Sequence, residues 1–486
     1  MVMQRPNGDS TIAMRTRSEV SILFQEMGML TRRRFCQMAG IVLPVGVMLT
    51  RCSADTAAQE PQMSWLDNGL IRLGSDLSIG GSITVLADAA QKVNMINSAD
   101  WGRQVQMSFY SGPNPYIPEG ATVNESWKGL GWNPIQSGDC YSFRSKIVEH
   151  TNDGTTLYIK CIPMQWPLKN VPGECTFECW YRLSGRAVQV RSRLTNNRLD
   201  KTQYDGRHQE LPAVYTNAPY HKLMTYTGDA PYSGGPLTEI PKQQHPPGGI
   251  RWADWRATEN WAALVDDSGV GVGVWNPGVY KMIGGFFGTP GTGGAKDSPT
   301  GYIAPVHSEI LDWNIQYTYE YVLIADTVAN IRQYVYDHAE KTAGVSYVFE
   351  ADRQHWVYRN GQDTGWPIQG HLEIVLKEDK PFEMIGPEML LKAQAGHQFI
   401  IHAAVKKHDN TEICPGRLYW KTANEDHFTA GRSVQVELPA DGQFHTTTTS
   451  LKKADGYDGL ITGLRFDPFV VSKTGDQIRL KSLVIR

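Results

Sequence analysis

A run of residues 311–323 in which every odd position is apolar and the even positions from 312 to 320 are polar constrains the fold of this chain more than any other segment. Side chains that alternate with a period of two lie on opposite faces of a β-strand, so one face meets a core and the other meets water or a ligand. The chain also contains 47 glycines, 14 tryptophans and 21 tyrosines, a composition typical of strands joined by turns. We therefore predict an all-β protein. The apolar odd positions are Leu311, Trp313, Ile315, Tyr317, Tyr319, Tyr321 and Leu323.

Strand patterns fall into two groups, which predicts two domains. Residues 61–345 carry repeated strands and end in a predicted helix over 326–340, with Asp326 or Thr327 as its N-cap. Residues 371–486 carry shorter strands at the spacing of a jelly roll, and residues 346–370 are predicted to link the two. The expected architecture is a large antiparallel β-supersandwich followed by a smaller β-sandwich. Predicted strands in the two groups include 157–162, 176–183, 188–194, 399–405, 417–421, 433–438, 446–451, 460–466 and 477–485.

The N-terminal region has the pattern of a twin-arginine export signal. Thr31-Arg32-Arg33-Arg34-Phe35 precedes an apolar run from Met38 to Leu49, which is too short for a membrane helix of roughly 20 residues. We predict that residues 1–60 are a signal and linker, and that the mature protein is exported. Cys52 follows Leu49-Thr50-Arg51, which is similar to a lipobox except at Arg51. The sequence leaves open whether Cys52 carries a lipid, the one predicted membrane link, or whether the protein is periplasmic or secreted without it.

Charge and cysteine spacing exclude several kinds of partner. The formal net charge is −3 and the basic residues are scattered, so we exclude nucleic-acid binding. No cysteine pair has the C-x2-C spacing of a zinc site, and we predict no metal site and no cofactor. A structural calcium ion stays open as an alternative, because turns such as 455–458 offer carboxylate oxygens. A disulfide between Cys140 and Cys161, or from either to Cys175 or Cys179, also stays open, as does the oligomeric state.

Polar, glycine-punctuated segments at 94–103, 131–136 and 207–215 resemble those of the galactose-mutarotase β-supersandwich superfamily. That resemblance implies one large twisted antiparallel sandwich that binds sugars on a concave sheet. Arg103 matches the sugar-binding arginine of that superfamily, and His208 matches its acid/base histidine. The superfamily has His-x-Tyr-Phe-Asn where this chain has His208-Gln-Glu-Leu-Pro212, so the resemblance implies the fold rather than epimerase activity. Residues 459–468 and 475–482 resemble the last strands of carbohydrate-binding-module jelly rolls.

Several acidic residues are candidates for sugar chemistry, which commonly uses a pair of titratable groups. Glu210, beside His208, is the strongest candidate for an acid or base, and Asp254 lies between Trp252 and Trp255. The plainer interpretation of each is a structural ion pair or a satisfied hydrogen bond. The glycine-rich segment 284–294 lacks the context of a phosphate loop and is predicted to border the cleft. The predicted catalytic residues are Glu210, His208 and Asp254, and the predicted substrate-binding residues are Arg103, Trp101, Trp132, Arg207, Tyr215, Trp255, Glu259 and Trp261.

These residues favour an exported enzyme that acts on a polysaccharide or oligosaccharide, with the C-terminal domain binding the glycan. A glycoside hydrolase would use Glu210 with Asp254, whereas a polysaccharide lyase would use His208 or Tyr215 near Arg207. The alternative is a non-catalytic glycan-binding protein of the cell envelope. That alternative uses tryptophans as stacking surfaces, namely Trp101, Trp132, Trp166, Trp255 and Trp261.

Overall fold

Antiparallel strands form almost all of the regular structure, which confirms the predicted all-β class. The computed structural model describes residues 61–241, 244–245, 249–250, 252–340, 344–425, 427–452 and 454–486. The predicted signal and Cys52 therefore lie outside the described residues. Within the described ranges there is one α-helix, α1 (Val328–His338), and there are two short 3₁₀ turns at Leu77–Ile79 and Lys128–Leu130. None of the helices described is long and apolar enough to span a membrane.

Two large sheets form the first sandwich. The first sheet has the order β1-β2-β3-β4-β11-β20-β19-β16, with β5 and β8 attached to β4, and the second has the order β13-β12-β17-β18-β21-β10-β9-β7-β6. Strands β14 and β15 form a separate ribbon. The strands are β1 (Met63–Asp67), β2 (Ile71–Asp76), β3 (Ser82–Asp88), β4 (Val105–Ser108), β5 (Pro134–Ile135), β6 (Lys146–Asn152), β7 (Thr156–Ile162), β8 (Met164–Gln165), β9 (Cys175–Ser184), β10 (Ala187–Asn196), β11 (Arg207–Asn217), β12 (Lys222–Thr225), β13 (Thr238–Ile240), β14 (Gln244–His245), β15 (Gly249–Ile250), β16 (Ala253–Arg256), β17 (Trp261–Val265), β18 (Val270–Trp275), β19 (Lys281–Phe287), β20 (Thr300–Glu309) and β21 (Gln316–Thr327).

The alternating segment at 311–323 forms only part of the strand that its pattern predicts. Strand β21 begins at Gln316, because Asn314 adopts a positive φ of 67° and turns the chain. From there the odd positions pack into the core between the two sheets, as the alternation predicts. The segment before the strand is still buried, through Leu311 and Ile315.

Helix α1 covers the outer face of the second sheet. Thr327 is its N-cap, and its side chain accepts a hydrogen bond from the backbone N–H of Asn330. Ile331 and Val335 are fully buried against the sheet. The predicted helix is therefore present, shorter by two residues at each end.

Two six-stranded sheets form the small sandwich, with a separate core. One sheet has the order β24-β25-β33-β28-β31 with β22 on β33, and the other has the order β23-β26-β32-β29-β30 with β27 on β32. The strands are β22 (Val345–Val348), β23 (Val357–Arg359), β24 (Gly361–Asp363), β25 (Leu372–Leu376), β26 (Glu383–Ile385), β27 (Leu391–Lys392), β28 (Gln398–Lys406), β29 (Ile413–Thr422), β30 (Ser433–Pro439), β31 (Asp441–Ser450), β32 (Leu460–Asp467) and β33 (Gln477–Ile485).

Residues 346–370, predicted as a linker, contribute to the small sandwich instead. Strand β22 pairs with β33, and the large side chains of Phe349, Trp356 and Tyr358 are buried in the small core. Their apolar area provides the physical reason, since aromatic side chains of this size gain more by burial than by exposure.

Polar contacts join the two sandwiches. Glu388 of the small sandwich forms ion pairs with Arg256 of β16 and Lys421 of β29, at 3.0 and 3.3 Å. Arg353 forms ion pairs with Asp312 and Asp363, each at 2.6 Å.

None of the disulfides that the sequence left open forms among the described residues. The cysteines there are all free, namely Cys140, Cys161, Cys175, Cys179 and Cys414.

Candidate functional site

A cleft of about 1150 Å³ opens on the face of the first sheet that points away from the core. Its floor is built from β4, where alternation sends side chains to opposite faces. Val105 and Met107 of this strand pack into the core, whereas Gln106 and Ser108 line the cleft, followed by Tyr110. The strand thus separates an apolar face from a polar one.

A bulge in β11 sets which of its side chains reach the cleft. The pairing register of β11 shifts between Glu210 and Val214 on one side and between Glu210 and Ala213 on the other. An extra residue in a strand reverses the alternation beyond it. Glu210, Ala213 and Tyr215 therefore all face the cleft, although their spacing would place them on different faces of a regular strand.

Glu210 is the carboxylate on the floor of the cleft, where only 6% of the residue is exposed. Tyr110 forms a hydrogen bond with it, and the Tyr110 hydroxyl also accepts one from the Ser108 hydroxyl at 3.1 Å. Burial, together with the negative charge of Glu210, raises the pKa of Tyr110, Tyr215 and Tyr302 well above the usual range. All three phenols are therefore proton donors at neutral pH.

Indole rings stand around the opening of the cleft. Trp101, Trp127 and Trp166 are half-buried, and the rings of Trp127 and Trp166 meet edge to face with centroids 5.7 Å apart. Gly138 makes room for Trp101, because a Cβ at that position would lie 2.5 Å from its ring. Half-buried indoles with an open face are suited to stacking on flat, partly apolar ligands.

The loop that carries Trp101 also meets the loop around residues 296–298 at the cleft. Arg103 donates a hydrogen bond to the carbonyl of Ser298 at 2.7 Å and forms an ion pair with Asp100 at 3.2 Å. The Lys296 ammonium donates to the backbone and side chain of Ser98, at 3.1 Å each. The glycine-rich segment 284–294 also borders the cleft, through Gly288.

Asp139 also lines the cleft, but its carboxylate is occupied. It accepts hydrogen bonds from the backbone N–H groups of Tyr141, Phe143 and Asn170, at 2.9, 2.9 and 2.7 Å. Burial raises the pKa of Asp139 in spite of these bonds. Its contacts are those of a residue that shapes the loop around the cleft.

The structure brings together in the cleft four of the residues predicted to be catalytic or to bind substrate, Trp101, Arg103, Glu210 and Tyr215. It also places there Trp166, a stacking residue of the alternative function. Arg207 lies just behind the cleft, donating to the carbonyls of Ser111 and Leu130 at 3.1 and 2.6 Å.

The other predicted residues lie elsewhere. His208 lies two residues before Glu210 in β11 but is not among the residues that line the cleft, and Asp254 is exposed and paired with Lys281 at 2.9 Å. Trp255 packs in the main core, as does Trp132, whose indole N–H donates to Glu174 at 3.2 Å.

Glu259 and Trp261, also predicted to bind substrate, belong to the network that holds helix α1. Glu259 is completely buried and accepts hydrogen bonds from the Trp261 indole, the Tyr336 hydroxyl and the Arg332 guanidinium, at 2.7 to 3.0 Å. A carboxylate with this many donors is an anchor between sheet and helix. These contacts leave no part of Glu259 facing the cleft.

Sequence reasoning missed several residues of the cleft. Tyr110 lies just after a strand and Trp127 lies on a loop, with no motif that marks either. Asp100 lies in the segment 94–103 that the sequence singles out, but it was not among the predicted site residues. Tyr302, which packs beside the cleft residues Tyr215 and Trp252, lies about 90 residues after Glu210 in the chain. The alternation of β4 was the one available signal, since it predicts that Tyr110 shares a face with Gln106.

In the turn considered for calcium, Asp458 pairs with Arg432 at 3.4 Å. Among the described residues, no cluster of three His, Cys, Asp or Glu ligands includes Asp455 or Asp458. The calcium alternative stays a prediction.

No protein-family model matches the chain, and no curated protein matches it significantly. Solved structures with a similar fold include a galactose mutarotase-like protein from Lactobacillus casei, 11% identical, covering 54% of this chain and 99% of that one with a TM-score of 0.34. Another is 4-alpha-glucanotransferase from Thermococcus litoralis, 11% identical, covering 55% and 40% with a TM-score of 0.30. A CBM4 structure is 13% identical, covering 27% and 84% with a TM-score of 0.20. Both resemblances stated from the sequence thus recur among structural neighbours. At these identities and TM-scores, they say nothing about activity.

Proposed function

We propose that this protein is an exported enzyme that binds a polysaccharide or oligosaccharide in the cleft and hydrolyses a glycosidic bond. The observation that supports the proposal is the position of Glu210, a buried carboxylate on the floor of a cleft of about 1150 Å³ whose opening is lined by half-buried indoles. This volume is slightly above the usual range for ligand pockets, roughly 300–1,000 Å³, and suits more than one sugar ring.

Hydrolysis requires two carboxyl groups near the scissile bond. Asp100 is the second candidate, in place of Asp254. Glu210 and Asp100 are both close enough to Tyr215 to affect its ionisation. Burial is the largest cause of the raised pKa of Tyr215, and the negative charges of Glu210 and Asp100 raise it further. Glu210 would act as the acid or base at the floor, and Asp100 would act from the loop above it.

Elimination is the less suitable chemistry for this cleft. A lyase needs a base that takes a proton from the sugar ring. The raised pKa of Tyr110, Tyr215 and Tyr302 keeps these phenols protonated. His208, the other candidate base, is exposed outside the cleft lining.

A second candidate function is glycan binding without catalysis. The ion pair between Asp100 and Arg103 favours it, because a carboxylate held by a guanidinium is a weaker base and nucleophile. In that case Glu210 would accept hydrogen bonds from sugar hydroxyls, and the indoles would supply the stacking surface.

The decisive experiment is incubation of the mature protein with a panel of polysaccharides. New reducing ends without absorbance from unsaturated uronates support hydrolysis, and both signals together support elimination. Binding measured by calorimetry, with neither signal, supports the second candidate. A protein that neither binds nor cleaves any member of a broad panel contradicts the assignment to glycans.

Export and a second glycan site are further parts of the proposal. Replacing Arg32 and Arg33 by lysine should retain the protein in the cytoplasm when cell fractions are compared.

In the small sandwich, Phe444 lies on an outer sheet face, with Lys481 and Arg479 about 5 Å from its ring centre. It is the candidate platform there, because Trp356 and Trp420 are buried.

A further inference from the structure

A group of three metal-ligating side chains lies where the large sandwich meets the small one. His307 and Glu309 come from β20, and His355 comes from the segment between β22 and β23. One ligand atom of each lies within 4.8 Å of the other two. The two imidazole rings are 4.5 Å apart between centroids, and the Glu309 carboxylate lies 2.6 Å from Nδ1 of His355 and 3.7 Å from Nδ1 of His307.

The backbone explains why these side chains converge. His307 and Glu309 are two residues apart in one strand, so they point to the same face. His355 and Gln354 both have positive φ values, 61° and 50°. That conformation is uncommon for residues other than glycine and persists where the surrounding structure demands it. It turns the His355 ring toward Glu309 from a segment about 46 residues further along the chain.

This group is separate from the cleft. Tyr302 and Ala304 of β20 lie beside the cleft residues Tyr215 and Trp252, so the odd-numbered residues of the strand face the other way. Glu309 accordingly accepts a hydrogen bond at 2.8 Å from the hydroxyl of Tyr317, a core residue of the second sheet. The group therefore lies at the end of the space between the two large sheets, on the opposite face of the sheet from Glu210.

We propose that His307, Glu309 and His355 bind a divalent transition-metal ion such as Zn²⁺, at a site that joins the two sandwiches. Imidazole nitrogens with a carboxylate oxygen are ligands that such ions prefer, whereas Ca²⁺ and Mg²⁺ favour oxygen alone. The Nε2 atom of His307 is buried without a hydrogen-bond partner among the described residues. The Tyr317 hydroxyl orients the carboxylate, which is the usual role of a group in the outer shell of a metal site. His355 is partly exposed, at 43% of its side chain, and leaves a path for the ion.

Zinc titration of the chelator-treated mature protein, free of any affinity tag, tests this site. Calorimetry should show one Zn²⁺ per chain, and Co²⁺ should give the visible absorption of a protein-bound ion. The thermal unfolding temperature should rise with Zn²⁺, since an ion that binds only the folded state stabilises it. Ca²⁺ at the same concentration should leave that temperature unchanged.

Variants decide whether the binding belongs to these residues. His307→Ala and Glu309→Gln should each weaken Zn²⁺ binding at least tenfold. The matched control His445→Ala, at a partly exposed histidine of β31 away from the group, should keep the binding. His355→Ala serves as the partly exposed variant if His307→Ala does not fold. Absence of stoichiometric Zn²⁺ binding by the wild-type protein overturns the proposal. So does binding of unchanged affinity in folded His355→Ala and Glu309→Gln.

Discussion

The ammonium group of Lys281 lies 2.9 Å from the carboxylate of Asp254. The two residues lie on neighbouring strands, β19 and β16, at the edge of the first sheet. Neither lines the cleft that contains Glu210. Asp254 thus forms the surface ion pair that its plainer interpretation predicts. Because Glu210 lines the cleft and Asp254 does not, the two carboxylates do not form the catalytic pair that a hydrolase would need.

Replacing Glu210 by glutamine should lower activity on the glycan that the panel identifies by roughly 100-fold or more, because the proton transfer assigned to Glu210 is lost. Glutamine keeps the size of the side chain and an acceptor for Tyr110, so the unfolding temperature should change little. Asp254→Asn is the matched control and should retain activity. Full activity in Glu210→Gln would remove Glu210 from the mechanism.

Trp166→Ala should weaken glycan binding roughly three- to tenfold, the loss expected for one stacking contact. The half-buried ring lines the cleft, so its removal should cost little stability. Trp180→Ala is the control, because Trp180 lies on the outer face of the second sheet between Arg191 and Arg193. Calorimetric titration with the identified glycan measures both. Equal effects of the two substitutions would place the glycan outside the cleft.

Arg353→Met should lower the free energy of unfolding by about 3–5 kcal/mol, the usual cost of removing one partner from a buried ion pair. It leaves Asp312 and Asp363 buried without their shared cation. Arg359→Met, an exposed position on β23, should have little effect. Thermal unfolding of the two variants gives the comparison, and similar unfolding temperatures would show that the buried pairs contribute little.

Acid should destabilise the large sandwich through Glu259. Burial alone would raise its pKa, but the hydrogen bonds from Arg332, Tyr336 and Trp261 outweigh burial and lower it below the usual 4.5. A lowered pKa in the folded state contributes stability at pH values above 4.5, and this contribution is lost as the pH falls through the folded-state pKa.

The wild-type unfolding temperature should therefore fall more steeply than that of Glu259→Gln as the pH is lowered from about 5 to about 3. At neutral pH the variant should be the less stable of the two, because Arg332 has lost its charged partner. Parallel curves for the two proteins would contradict the assigned role of Glu259.

Strand positions could be predicted well because they depend on local pattern. The segments predicted at 157–162, 176–183 and 188–194 correspond to β7, β9 and β10, each within two residues at either end. The linker prediction at 346–370 was wrong because it relied on the turn residues of this segment and gave too little weight to its aromatic side chains. Those side chains are buried because a second core lies near them in space, which no local pattern reports.

The sequence by itself determined the all-β class and the division into two groups of strands, and it made Glu210 a candidate, since alternation and residue type are local properties. Only the tertiary structure decided which side chains share the cleft. Strands β4, β11 and β20 are far apart in the chain but pair in one sheet, and a bulge in β11 changes which face its side chains reach. Pairing and bulges depend on contacts between distant segments, so they follow from the packed molecule rather than from any one stretch of residues.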